Sequence, residues 1–172
     1  MRKKWMVISM GMFLILAGTG LAQEGYIHIS PQGWDTWDGS VGFNIYGGGG
    51  GTLCYVQKST TSEYLSKPIQ FPPEADGLLV RQITISYSDN DAANNISFYL
   101  RKVDLYDQGV TTVANIESAG SSAGWRRMYI NRWDMAARRI NNERYAWYVI
   151  VYFEGTGAPL KLGNIKIKYA TD

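Results

Sequence analysis

The stretch "SYSDNDAANNISFYL", Ser86 to Leu100, sets two carboxylates and three carboxamides between two runs of alternating apolar residues. Asp89, Asp91, Asn94 and Asn95 offer oxygen at close spacing, and a calcium ion takes about six to eight such ligands. The spacing is not that of an EF-hand. Counted from Asp89, the sixth position is Asn94 rather than glycine and the twelfth is Leu100 rather than glutamate. Short Asp and Asn side chains also satisfy the backbone of a turn and tolerate left-handed conformations. Ile83, Ile85 and Tyr87 lead in, and Ile96, Phe98 and Leu100 lead out. The reading preferred here is the turn of a hairpin with no metal ligand assigned; an ion held weakly with help from another loop is the alternative. Asn95-Ile96-Ser97 also fits the N-glycosylation pattern, and its place at the start of a strand marks it as a chance match.

A second cluster, "GWDTWDG", places Trp34 and Trp37 three residues apart, each followed by an acid, Asp35 and Asp38. Indole faces stack on the apolar faces of sugar rings, and a neighbouring carboxylate accepts hydrogen bonds from hydroxyls, so Trp34, Asp35, Trp37 and Asp38 are the candidate ligand-binding residues. The competing reading has the tryptophans closing one end of the fold or stapling the N-terminal segment to it, because Trp is a large apolar contributor to a core. The same two readings apply to Trp125 and Trp133.

Other chemistries lack their residues, and no catalytic residue is assigned. A Ser-His-Asp triad would have to use His28, the sole histidine, and no G-x-S-x-G elbow carries a nucleophile. One His and one Cys make a poor zinc set. Gly47 to Gly51 is followed by Thr-Leu-Cys rather than Gly-Lys-Ser/Thr, so it is not a phosphate loop; it reads as a flexible loop ending a strand. Cys54, within the strand-forming run "TLCYV", has no partner cysteine in the chain and reads as a small buried hydrophobe. No cofactor is implied.

The elements that must position these residues follow an N-terminus with the features of an export signal. Arg2, Lys3 and Lys4 precede an apolar run from Met6 to Leu16, and Gly20-Leu21-Ala22 sets small residues where a signal peptidase reads. Residues 1–22 are therefore expected to be a cleaved signal peptide and residues 23–172 a single domain, with a secreted or periplasmic, extracytoplasmic location. The apolar run is shorter than the ~20 residues that span a bilayer, so no membrane anchor is expected in the mature chain. The full chain has 17 basic and 15 acidic residues. Three of the basic ones lie before residue 23, which leaves 14 against 15 and a net charge of −1. A field able to hold nucleic acid is not indicated.

Beyond Tyr26 nearly every apolar residue stands in a short run of period two. "LVRQITISYSD" alternates Ile83, Ile85 and Tyr87 with Thr84, Ser86 and Ser88, and "NISFYLRKVDL" alternates Ile96, Phe98 and Leu100 with Ser97, Tyr99 and Arg101. "RYAWYVIVYF" puts Tyr145, Trp147, Val149, Val151 and Phe153 on one face and Ala146, Tyr148, Ile150 and Tyr152 on the other, as in a central strand covered on both sides or one with an aromatic outer face. "LKLGNIKIKY" changes parity at Gly163-Asn164, which predicts a bulge there. Weaker strands are "YIHIS", "VGFNIY", "TLCYVQK", "VTTVANIES" and "RRMYINR". "RWDMAARRINN" reads as a turn or single helical turn over one end of the sheets. The pattern predicts an all-β fold: one antiparallel β-sandwich of jelly-roll type with about eight to ten strands.

The segment "SKPIQFPPEADGLLVRQITISYSDNDAANNISFYLRKVDL" resembles the central block of a family of uncharacterised secreted bacterial β-sandwich proteins of unknown function. That block has a proline-containing approach to a strand, a strand ending in Tyr-x-Asp, a polar turn and a strand ending in Leu-x-Arg. "RYAWYVIVYFEGTGAPLKLGNIKIKY" is similar to the closing hairpin of the same group. The resemblance runs from Ser66 onward and departs at Pro72-Pro73-Glu74, where the group has a tighter Pro-x-Gly turn. It implies an extracytoplasmic, jelly-roll-like sandwich and no particular activity.

The function expected is a secreted, non-enzymatic β-sandwich acting by surface contact, as a cell-surface, matrix or assembly module with weak affinity for carbohydrate. Its partners would be extracellular glycans or further copies of itself. The alternative is an extracellular carbohydrate-active enzyme that uses a carboxylate pair on a jelly-roll scaffold; most acids fall in turns, which weakens it. Mass spectrometry of the exported protein should find Gln23 as its first residue; a chain retaining Met1–Ala22 would contradict the signal reading.

Overall fold

A computed structural model describes residues 23–36, 43–46, 55–58, 62–118, 122–155 and 160–172. Cys54 and Gly47–Gly51 lie outside the described residues. Eleven strands are present: β1 (Glu24–Ile29), β2 (Asp35–Thr36), β3 (Phe43–Tyr46), β4 (Tyr55–Lys58), β5 (Glu63–Ile69), β6 (Leu79–Asp89), β7 (Ile96–Asp104), β8 (Val110–Glu117), β9 (Ser122–Asn131), β10 (Tyr145–Phe153) and β11 (Lys161–Ala170). They form two antiparallel sheets. One has the order β3-β4-β11-β6-β9, with β1 also paired to β11, and the other has the order β2-β5-β10-β7-β8. The chain is an all-β sandwich of jelly-roll type.

The inner faces follow the alternation in the sequence. Ile83, Ile85, Ile165, Ile167, Met128 and Ile130 of the six-stranded sheet share one core with Phe98, Leu100, Val149, Val151, Phe153 and Leu65 of the five-stranded sheet. Each such side chain contributes about 1.5–3 kcal/mol by leaving water. Phe71 joins the layers at one end, its ring edge-on to Trp147 of β10 (centroids 5.2 Å) and to Tyr169 of β11 (5.8 Å). The Pro72-Pro73-Glu74 stretch forms a short 3₁₀ turn over Pro73–Ala75, with Ala75 N–H donating to Pro72 O.

The parity change in β11 is a bulge: its register with β6 shifts between Leu162 and Ile165, and Leu162, Ile165 and Ile167 all point inward. Gly163 is required by close approach. A Cβ there would meet the Trp125 ring at 2.9 Å and the Ser86 Cβ at 3.2 Å.

Two expectations need correction. β6 and β7 do not form a hairpin, because β6 pairs with β11 and β9 while β7 pairs with β10 and β8. The chain from Asp89 to Asn95 instead arches from one sheet to the other, as do β5–β6 and β9–β10; β8 and β9, and β10 and β11, likewise lie in opposite sheets. Alternation tells which face of a strand is apolar, and two strands that meet face to face across a core show the same pattern as two that pair edge to edge. The second correction concerns β2 and β5, which bring the count to eleven. The sequence from Ser66 reads as a proline-containing approach to a strand, yet Ser66–Ile69 belongs to β5, with Pro68 opposite Tyr148 of β10, while β2 pairs only with Leu65 and Ser66. Beyond Ser66 this side of β5 is an edge among the described residues, the setting in which a strand tolerates proline.

The acids of the arch are used within it. Asp89, fully buried, accepts the Asp91 N–H at Oδ1 (3.0 Å) and the Ser118 hydroxyl at Oδ2, and Ser118 Oγ accepts the Ile96 N–H (2.8 Å). Asp91 accepts the Ala93 N–H (2.9 Å) and the Asn94 amide. Among the described residues no group of three or more His, Cys, Asp or Glu side chains could hold a metal ion. Asp89 thus ties the end of β6 to the start of β7 through Ser118. Asp89→Ala should lower stability by about 1–3 kcal/mol in guanidinium unfolding, since it leaves buried donors unpaired. Ser118→Ala in that background should add little further; full additivity of the two would contradict the linkage.

Candidate functional site

The outer faces of the two sheets differ in chemistry. On the six-stranded sheet, β1, β11 and β6 present Tyr26, Lys166, Lys168, Gln82 and Thr84 around a shallow hollow. Those groups engage one another: Lys166 Nζ lies 3.9 Å from the Tyr26 ring centroid, and Lys168 Nζ is 2.8 Å from Glu24 Oε2. The pair draws the Glu24 carboxyl below and the Lys168 amine above its ordinary range, chiefly through their hydrogen bond.

The five-stranded sheet carries aromatic rings on its outer face. Its central strand, β10, has Trp147, Val149, Val151 and Phe153 in the core, so Tyr148, Ile150 and Tyr152 point away from it. The register sets three rows across this face. Tyr152 stands opposite Tyr64 of β5 and Ser97 of β7; Ile150 opposite Ser66 and Tyr99; Tyr148 opposite Pro68 and Arg101. The Tyr64 and Tyr152 rings stack with centroids 4.3 Å apart at an interplanar angle of 26°. Tyr64 is 48% exposed, whereas Ile150 is 3% exposed although it faces outward. From Tyr148 to Tyr152 the aromatic face runs ~13 Å along the strand.

Arg101 adds a polar donor to this surface. Its guanidinium lies 5.1 Å from the Tyr99 ring centroid, and its Nε is buried without a hydrogen-bond partner among the described residues. A buried donor left unpaired costs about 1–3 kcal/mol.

The candidate ligand residues divide between core and surface. Trp34 is 5% exposed, donates its indole N–H to Ser30 O (3.2 Å) and sits beneath the Lys67 ammonium, 6.0 Å from the ring centroid. Its ring is spent on the interior. Asp35, the next residue, is exposed and pairs with Ser66, which places it at the edge of the middle row of the tyrosine face. Trp37 and Asp38 lie outside the described residues. Tyr64, Tyr99 and Arg101 were not among the sequence candidates. The signal for Tyr99 and Arg101 was their position opposite the apolar face of β7; Tyr64 was missed with its strand.

Two carboxylates are buried among the described residues, Asp89 and Asp104. Asp89 abuts the start of β7 through Ser118, and Asp104 ends that strand, so about 25 Å of strand separates them. Paired carboxylates in glycoside hydrolysis stand about 5–9.5 Å apart.

No family model and no curated protein matches the chain. Solved structures do match it in fold. The C-terminal family 6 carbohydrate-binding module of a marine laminarinase from Zobellia galactanivorans superposes with a TM-score of 0.53 at 13% identity, covering 83% of this chain and 98% of that one. A β-1,3-glucan-binding family 6 module from Bacillus halodurans gives 0.51 at 13% identity, covering 81% and 93%. A carbohydrate-binding module of lichenase 5A from Cellvibrio mixtus, in complex with cellotriose, gives 0.50 at 12% identity, covering 82% and 95%. These structural neighbours are carbohydrate-binding modules with a jelly-roll sandwich fold.

Proposed function

We propose that the protein is a secreted, non-enzymatic carbohydrate-binding sandwich, exported by residues 1–22 and acting through the outer face of the five-stranded sheet. The observation that carries this reading is the stacked Tyr64–Tyr152 pair in one surface with Tyr148, Tyr99 and the half-buried guanidinium of Arg101. A sugar ring presents apolar C–H faces and a rim of hydroxyls. Tyrosines receive the first with an amphipathic ring that loses little freedom on binding, and Arg101 donates to the second. Ser66, and Asp35 at the edge, supply further polar partners on the middle row. Rings on neighbouring strands and along one strand suit an extended chain rather than a single sugar. The fold shared with carbohydrate-binding modules supports the class of ligand.

Affinity electrophoresis and calorimetry of residues 23–172 against laminarin, lichenan and xylan test the reading. At least one neutral glucan or xylan should bind without being cleaved. Tyr152→Ala and Tyr64→Ala should each weaken binding about tenfold or more, which corresponds to ~1.4 kcal/mol, while Trp133→Ala, an exposed ring outside this face, should leave it unchanged. Absence of binding to all three, or equal binding by Tyr152→Ala, would overturn the proposal.

A further inference from the structure

β7 directs its even-numbered residues inward, and after Ile96, Phe98 and Leu100 the series ends on Lys102 and Asp104. A lysine at a core-facing position is unusual, and Lys102 is only 5% exposed. Its Nζ donates to Ala137 O (2.8 Å) and lies 3.9 Å from the Tyr145 ring centroid and 5.4 Å from that of Trp147. Ala137 sits at φ +45°, in the left-handed region that a non-glycine residue seldom adopts. The crossover from β9 to β10 is thus held in a constrained shape where it meets this amine.

Around Lys102 an open hollow of about 360 Å³ is lined by Leu79, Ala137, Arg138, Arg139, Asn141, Arg144 and Tyr145, with no acid in the lining. Arg144 is paired to Asp104 (Nε to Oδ2 2.6 Å), while Arg138 stands 3.6 Å from Asp172, a carboxylate that Arg81 holds more closely at 2.8 Å, so the lining cations outnumber the carboxylates that reach them. Among the described residues the Arg139 side chain meets the Gly77 carbonyl alone (3.2 Å). Burial and the neighbouring Arg144 push the Lys102 amine below the ordinary lysine range, with Asp104 opposing; Asp104 itself is held low by the Tyr106 N–H and Arg144. The local charge is under-compensated, in contrast to the self-paired lysines beside Tyr26.

On the other side of Tyr145 a second hollow, about 300 Å³, is lined by apolar and aromatic groups including Ile69, Phe71, Leu105 and Trp147. The indole Nε1 of Trp147 is buried without a hydrogen-bond partner among the described residues. A cationic hollow and an aromatic one thus flank a single tyrosine at one end of the sandwich, beyond the Tyr148 end of the tyrosine face.

We infer that this end of the sandwich binds an anionic sugar of a polysaccharide, with its carboxylate or sulfate group at Lys102, Arg138, Arg139 and Arg144 and its ring against Tyr145. The inference rests on the carbohydrate-binding reading for the kind of molecule bound, but it uses a different surface. Guanidinium groups take carboxylate and sulfate oxygens with charge-assisted hydrogen bonds, and the mature chain's net charge of −1 disfavours nucleic acid as the source of the anion. A glycan chain crossing the end would meet cations on one side of Tyr145 and an apolar wall on the other.

Affinity electrophoresis of residues 23–172 in gels of alginate, polygalacturonate or dextran sulfate, beside laminarin, tests it. At least one acidic polymer should retard the protein, more weakly as salt is raised; the carboxylate and sulfate polymers show which anion is preferred. Arg139→Ala, an exposed substitution with little risk to folding, and Lys102→Gln should each reduce that retardation at least about fivefold and leave laminarin binding intact. Tyr152→Ala should do the reverse. If Lys102→Gln fails to fold, Arg139→Ala decides alone. No retardation by any acidic polymer, or retardation unaltered in Arg139→Ala, overturns the inference even where laminarin binds. Failure on laminarin alone overturns only the role of the tyrosine face.

Discussion

Strand β10 is apolar on both faces, and the rest of the structure answers to that constraint. Its inner residues, Trp147 to Phe153, are covered by the six-stranded sheet. Its outer residues have no third layer among the described elements, so the flanking strands must shield them while keeping the protein soluble. Tyrosine meets both demands, with an apolar ring and a hydroxyl for water. Ile150, ringed in the register by Tyr148, Tyr152, Tyr99 and Ser66, reaches the burial of a core residue while belonging to an outer face. The surface that solves this packing problem is also the one to which the proposal assigns the glycan.

The same strand organises the end of the molecule. Tyr145 begins β10 opposite Asp104, and Trp147 stands opposite Lys102. The aromatic run that lines the core thus emerges at its tip as the partition between a cationic hollow and an apolar one. The apolar hollow also takes in Gln70 and Ala146, so it adjoins the Tyr148 end of the tyrosine face.

Much of this was legible in the residues. The two faces of "YAWYVIVYF" and the bulge at Gly163-Asn164 follow from parity, because inward positions must be apolar and a parity change needs an extra residue. Strand partners were not legible from parity. Period two records what a strand faces and carries no mark of its neighbour, which is why β6 and β7 read as a hairpin although they lie in opposite sheets. Trp34 and Asp35 read as one cluster for a similar reason: adjacent residues of an extended chain point to opposite sides, and here one enters the core while the other joins the tyrosine face. Tyr64 was hidden by Pro68, which lowers the strand signal of β5 without preventing pairing at a lightly bonded edge. Lys102 was visible as a charge in an inward series, but its meaning depends on the arginines that the β9–β10 crossover brings beside it.

The central claim is that the outer face of the five-stranded sheet is where a glycan sits. Amide and side-chain NMR of residues 23–172 during titration with a laminarin oligosaccharide tests it most directly. The account predicts shifts concentrated at Tyr64, Ser66, Tyr99, Arg101, Tyr148, Ile150 and Tyr152. Shifts gathered instead around Tyr26, Lys166 and Tyr129 on the opposite sheet would contradict it.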